Sequence, residues 1–193
     1  MARVFVLSMV FAMFLGGCSG EAVEGIVGTE VVQASEVSAG NDWRIVDGGS
    51  FSTDYDKKLK NRSLNLGIAA AALDGAEVAA GGVFSFNETV GVATWAKGYR
   101  PAKIFVKGRE EKGIGGGVCQ LSSTLYNAVL GAGLEVVERH PHSKRVYYVE
   151  EGKDATIYYG KVDFKFKNNL GKAVRIEAKV EDGKCLVEIK TKT

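Results

Sequence analysis

Gly113-Ile114-Gly115-Gly116-Gly117-Val118-Cys119-Gln120 sets a thiol directly behind a run of glycines. Glycine opens backbone conformations closed to other residues and lets amides approach a ligand closely. Behind the run, Val118, Leu121, Leu125 and Val129 recur at helical spacing, with Gln120, Ser123, Thr124 and Asn127 between them. The spacing predicts a helix that opens near Cys119 and stops at Gly131 or Gly133. Cys119 then stands at a helix N-terminus, where unpaired N–H groups and the macrodipole favour an anion. With an imidazolium beside it, such a thiol ionises more readily and becomes a nucleophile. Amides of Gly116, Gly117 and Val118 are candidates to hold an oxyanion, and Gln120 to touch the substrate. Gly-rich turns before helices are also common scaffolding, so the loop implies catalysis only if a base answers it.

The chain has two histidines, His140 and His142, both in Glu138-Arg139-His140-Pro141-His142-Ser143. Pro141 pushes His140 into an extended conformation, and residues two apart on an extended segment point the same way. Both rings are therefore expected at one site, either one serving as the base for Cys119. Asp154 or Asp163 is a candidate to orient the imidazole. Arg139, Lys144 or Arg145 could bind carboxylates, and Tyr148 and Asp154 complete the candidate substrate contacts. The rival reading is a zinc set of Cys119, His140, His142 and a carboxylate. No Cys-x-x-Cys or His-Glu-x-x-His supports it, so metal ranks below catalysis and no cofactor is expected. Gly-x-Ser-x-Gly, Ser-x-x-Lys and P-loop patterns are absent as well.

The elements that must position these groups read as an α+β domain: a mainly antiparallel sheet and two principal helices, the second opening at the Gly-rich loop and Cys119. Arg44 to Asp47 reads as a strand, Gly48-Gly49-Ser50 as a turn, and Phe51 to Thr53 as further strand. Leu59, Ser63, Leu66, Ala70 and Leu73 mark one face of the first helix, closed by Asp74-Gly75. A strand pair is expected around Glu77 to Ala79 and Val83 to Asn87, and a strand from Lys103 to Lys107. After the second helix, Leu134 to Arg139, Lys144 to Val149, Ala155 to Tyr159, Val162 to Lys167, Ala173 to Val180 and Lys184 to Lys190 alternate or are β-branched. Glu181-Asp182-Gly183 is a hairpin signal between the last two.

At 193 residues with 46% hydrophobic and 25% charged side chains, one globular domain plus appendages is expected. Residues 1–17 read as a targeting segment: Arg3, an apolar run from Val4 to Phe14, then Leu15-Gly16-Gly17-Cys18. Leu-Gly-Gly-Cys resembles a bacterial lipobox, which implies lipidation of Cys18 and an extracytoplasmic, membrane-anchored protein. Residues 18–42 carry acids and no base, and read as a flexible tether; residues 43–193 form the domain. From Trp43 onward 24 basic residues stand against 18 acidic ones, a net +6, suited to anionic envelope polymers rather than nucleic acid. With Cys18 acylated, Cys119 and Cys185 remain; a disulfide is one reading. Cys185 shares a strand face with Val187 and Ile189, which makes it a small core residue instead.

Phe84-Ser85-Phe86-Asn87-Glu88-Thr89-Val90-Gly91, Gly98-Tyr99, Gly115-Gly116-Gly117-Val118-Cys119-Gln120, Ser122 to Ala128, Glu138 to Ser143, Tyr148-Val149 and Asp154-Ala155-Thr156 resemble the VanW family. The likeness runs from about Phe51 to Ile189. The family takes its name from glycopeptide-resistance clusters, and some VanW-domain proteins are regarded as peptidoglycan L,D-transpeptidases. Their nucleophile is the cysteine of the Gly-Gly-Gly-Val-Cys-Gln motif, a role that falls by resemblance on Cys119. Two departures stand out: Ala80-Gly81-Gly82 where Pro-Gly-Glu is usual, and Val92-Ala93 in place of a Pro-Arg pair. The resemblance implies peptidoglycan stem peptides as substrate. A non-catalytic wall-binding lipoprotein and a cysteine peptidase acting on the same stem are the alternatives.

Overall fold

Apolar alternation in the last two strands supplies the sheet on which the helices rest. The computed structural model describes residues 42–106 and 109–193; the signal segment, Cys18 and the tether up to residue 41 lie outside them. The elements in chain order are β1 (Trp43–Asp54), α1 (Lys60–Leu73), β2 (Glu77–Val78), β3 (Val83–Ser85), α2 (Phe86–Val90), β4 (Pro101–Val106), β5 (Arg109–Ile114), α3 (Val118–Gly131), β6 (Glu135–Glu138), β7 (Lys165–Lys167), β8 (Val174–Glu181) and β9 (Lys184–Lys192). They form an antiparallel sheet in the order β1-β9-β8-β2, a three-stranded sheet β3-β7-β6, and the hairpin β4-β5.

Val174, Ile176 and Ala178 of β8 and Cys185, Val187 and Ile189 of β9 alternate into one face and are buried under α1 and α3. Asp182 and Gly183, with φ of 50° and 83°, turn the chain between them as the sequence anticipates. Phe84, Phe164 and Phe166 close the core on the side of the smaller sheet, Phe84 and Phe166 stacked at 4.9 Å. Cys185 is fully buried and unpaired, as the strand pattern implies, and burial pushes its thiol up to about 11. Among the described residues no helix is long and apolar enough to cross a membrane.

Several local readings change. β1 runs unbroken through Gly48-Gly49-Ser50, where an irregularity between Ile45 and Ser50 absorbs the expected turn. β2 and β3 pair with β8 and β7 instead of with each other. Phe86–Val90 is a helical turn, capped by the Ser85 hydroxyl accepting from the Glu88 amide. Lys144 to Val149 is not a strand, and Ala155 to Tyr159 makes only one isolated bridge. Lys153 O and Ala155 O accept from Asn127 and Ser122 of α3, while the Thr156 amide donates to His140 O.

Candidate active site

α1 and α3 meet at the Gly-rich loop, and the first helical turns of both are unusually polar inside. On α1 the buried stripe is Arg62, Asn65, Leu66, Ala69, Ala70 and Leu73, so its N-terminal end is Arg62 and Asn65 where Leu59 and Ser63 were expected. Backbone polar groups of the loop need partners there, which apolar side chains cannot give. Asn65 supplies them: its amide nitrogen donates to the carbonyls of Gly116 and Arg100, and its oxygen accepts from the Arg100 amide. Gly117 caps α3 at φ 117°, and a Cβ on it would stand 3.0 Å from Arg62 Cγ. Only glycine combines that conformation with that approach.

Cys119 occupies the first turn of α3, partly exposed, its thiol 3.6 Å from the Ile157 carbonyl it faces as donor. The Val118 amide donates to Gly115 O, which removes it from the expected oxyanion donors. The Gly116, Gly117 and Cys119 amides meet no backbone acceptor among the described residues. The thiol itself corrects a further expectation. Burial pushes its pKa up, and this outweighs the pull of the Arg62 charge. Burial thus favours the neutral thiol over the thiolate at Cys119.

The two histidines do not share a site. The His140 ring is exposed and pairs with Glu138 at 3.1 Å, because the segment around Pro141 is irregular and strand alternation does not apply. His142 is nearly buried, and Asp154 accepts from its backbone amide at 2.6 Å and meets its Nδ1 at 2.5 Å. The other Asp154 oxygen accepts from Arg139 at 2.8 Å. Burial alone would raise the Asp154 carboxyl, but the His142 hydrogen bonds and the Arg139 charge hold it below the usual carboxylate range. Nδ1 being engaged, Nε2 is the ring nitrogen left for proton exchange. Asp163 lies elsewhere, tying Ser85, the Asn87 amide and the Phe164 amide together around α2.

What sets Asp154 at this place is α3 itself. Ser122 donates to Ala155 O, Ser123 accepts from the Ala155 amide, and Asn127 donates to Lys153 O. Three side chains of the cysteine's own helix thus grip the backbone on both sides of Asp154. Cys119, His142, Tyr148 and Ile157 line one cavity of about 1060 Å³, with Arg62 and Tyr147 also in its wall. Tyr148 stands edge-on to His142, ring centroids 6.5 Å apart, and burial keeps its hydroxyl protonated.

Two candidates for substrate contact have other work. Gln120 is fully buried, donating to Thr53 and the Asp54 carbonyl and accepting from Arg62. Arg139 bonds Gly152 O and both the carbonyl and carboxylate of Asp154. Lys144 and Arg145 line a second, smaller cavity of about 350 Å³, which shares His142 with the first. Among the described residues no three His, Cys, Asp or Glu side chains gather as a ligand set. Sequence reasoning missed Arg62, Asn65 and the Ser122-Ser123-Asn127 clamp. The available signal was a helix whose polar residues lie between two apolar rows instead of opposite one.

The neutral thiol has a measurable consequence. A raised pKa leaves less thiolate than usual at neutral pH, so alkylation of Cys119 by iodoacetamide should climb with pH and reach its midpoint above the ordinary ~8.5. Peptide mass spectrometry separates Cys119 from other cysteines. A rate already on its plateau at pH ~6 would mean a preformed thiolate–imidazolium pair.

Residues 61–190 match the family model described as VanW like protein. The chain is 43% identical over 141 residues to an uncharacterized protein, YoaR, of Bacillus subtilis, covering 73% of this chain and 46% of that one. It is 28% identical over 146 residues to the vancomycin B-type resistance protein VanW of Enterococcus faecalis, covering 72% and 53%. The chain thus spans about half the length of the curated relatives it matches. No solved structure matches it.

Proposed function

The chain belongs to the VanW family, and on that premise we propose that it is a lipid-anchored, extracytoplasmic enzyme of the bacterial cell envelope that acts on peptidoglycan stem peptides by cysteine acyl transfer. The reaction is L,D-transpeptidation. One observation carries the reading: Cys119 and an Asp154-held His142 line the same cavity. The resistance name of its Enterococcus faecalis relative supports an envelope role.

In this mechanism Cys119 Sγ attacks the carbonyl between the third stem residue and a terminal D-Ala as His142 Nε2 takes the thiol proton. Amides of Gly116, Gly117 and Cys119 face the oxyanion. The C–N bond then breaks, D-Ala leaving as an amine with the proton from His142, and a thioester remains on Cys119. An amine of a second stem opens the thioester, forming the cross-link and returning the thiol. Asp154 keeps the ring oriented and stabilises its cationic form without itself accepting the proton.

The test is the full chain incubated with disaccharide-tetrapeptides and followed by mass spectrometry. Expected are an acyl adduct on Cys119, release of D-Ala and a cross-linked dimer, all lost in Cys119→Ala. Neither adduct nor dimer, or undiminished product from Cys119→Ala, rejects the reading. Tripeptide without dimer would identify a hydrolase using the same thioester. The neutral resting thiol favours a second reading, a non-catalytic stem-binding module, which expects binding and no adduct.

A further inference from the structure

Arg62 is nine-tenths buried, in the first turn of α1, yet no carboxylate pairs with it among the described residues. Its one hydrogen bond goes to a neutral acceptor, Gln120 Oε1 at 2.8 Å, and Tyr147 and Tyr148 cover its face at 5.8 and 5.9 Å. Taking a cation out of water without an anion is costly, so buried charges are normally paired. Buried polar atoms are likewise normally bonded. Among the described residues two buried side-chain atoms break that rule, Arg62 Nε and Thr156 Oγ1, and both residues line the Cys119 cavity.

The rim repeats the sign. Lys58, Lys60, Lys103 and Lys112 join Arg62 on the lining, against Asp56, and of these lysines Lys103 is neutralised by Glu110 at 2.8 Å. Such a concave, cationic wall raises the local concentration of anions. A planar guanidinium whose Nε–H has no partner among the described residues matches a carboxylate in a way a point charge does not. Gln120 fixes the fork: its own amide is tied to Thr53 and Asp54, so Arg62 cannot swing out to solvent without leaving Gln120 Oε1 unbonded.

We infer that Arg62, assisted by the Thr156 hydroxyl, is the carboxylate-recognising group of the cavity, and that the ligand presented to Cys119 carries a free carboxylate. This deepens the stem-peptide reading and rests on it for the identity of the ligand. A stem peptide offers two sources of that group, its C-terminus and its side-chain or branch carboxylates, and the test separates them.

The experiment is titration calorimetry on full-length Cys119→Ala, which binds without turning over, with three synthetic tetrapeptide stems. One is fully acidic, one is amidated at the C-terminus, and one is amidated at its other carboxylates. The acidic peptide should bind at least about tenfold tighter than one of the two amides, which names the recognised carboxylate. In Cys119→Ala/Arg62→Met that preference should vanish, and in Cys119→Ala/Arg62→Lys part of it should remain. Equal affinity for all three peptides, no binding of any, or an unchanged preference in Arg62→Met overturns the inference. If Arg62→Met does not fold, Cys119→Ala/Thr156→Val decides: it should lose about threefold or more of the preference, and no loss overturns the inference. Carboxylate preference without any acyl adduct in the Cys119-containing chain would retain Arg62 and remove the enzyme. Adduct formation indifferent to Arg62→Met would do the reverse.

Discussion

Asp154→Asn is expected to slow acylation of Cys119 by about 10³–10⁴-fold while the chain still folds, a loss of the size seen when a triad carboxylate becomes an amide. The geometry leaves the amide no good orientation. One Asp154 oxygen receives the His142 amide and faces Nδ1; the other receives Arg139. If the new carbonyl oxygen faces His142, the NH₂ opposes the Arg139 guanidinium. If it faces Arg139, the NH₂ meets the His142 N–H and forces Nδ1 to act as acceptor, which puts the ring proton on Nε2. The base is then lost as a base. Because the carboxylate is held below its usual range, the defect should persist across neutral pH. His140→Gln is the control and should stay within about twofold, its exposed ring pairing with Glu138. The rate of adduct formation measured by mass spectrometry decides. Asp154→Asn retaining a tenth of the activity, or His140→Gln losing as much as Asp154→Asn, would break the assignment of His142 as base.

How much of this was visible in the chain itself depends on the physics behind each element. Strands β8 and β9 and their turn follow from alternation and Asp182-Gly183, signals that are local and need no partner. Helix α3 and its opening at Cys119 follow for the same reason. The segment from Lys144 to Tyr159 carries β-branched and aromatic residues and still forms no ladder; its backbone from Lys153 to Ala155 is held by side chains of α3, partners that no local pattern reveals. The site divides similarly. Cys119 and a histidine are found by residue type, whereas the choice of His142 over His140 depends on Asp154, and Asp154 depends on Ser122, Ser123 and Asn127. The thiol shift runs opposite to the local expectation for a related reason. A helix N-terminus acts within its own turn, but desolvation comes from everything packed around the sulfur, including residues far away in sequence.

Gly116→Ala is expected to destabilise the fold by about 2–3 kcal/mol, lowering Tm by roughly 5–10 °C. The added Cβ would lie 2.6 Å from the Lys103 carbonyl oxygen and 2.7 and 2.8 Å from the Ala102 carbonyl carbon and oxygen. All three are backbone atoms of β4, which is paired along its length with β5, so no flexible side chain can move aside. The loop cannot retreat either, since its Gly116 carbonyl is bonded to Asn65 and the next residue abuts Arg62. Relief must come from shifting β4 or the start of α3, and the second shift carries Cys119 and its amide donors with it. The substitution should therefore lower acylation beyond what the lost folded fraction explains, measured well below the new Tm. Gly67→Ala, with open space around its Cβ in the middle of α1, should by contrast leave both unchanged or raise Tm slightly. Thermal melts and adduct rates on the same samples separate the two effects. A Gly116→Ala chain that melts with the parent would show that β4 yields freely, and the loop would then not be the rigid seat that positions the thiol.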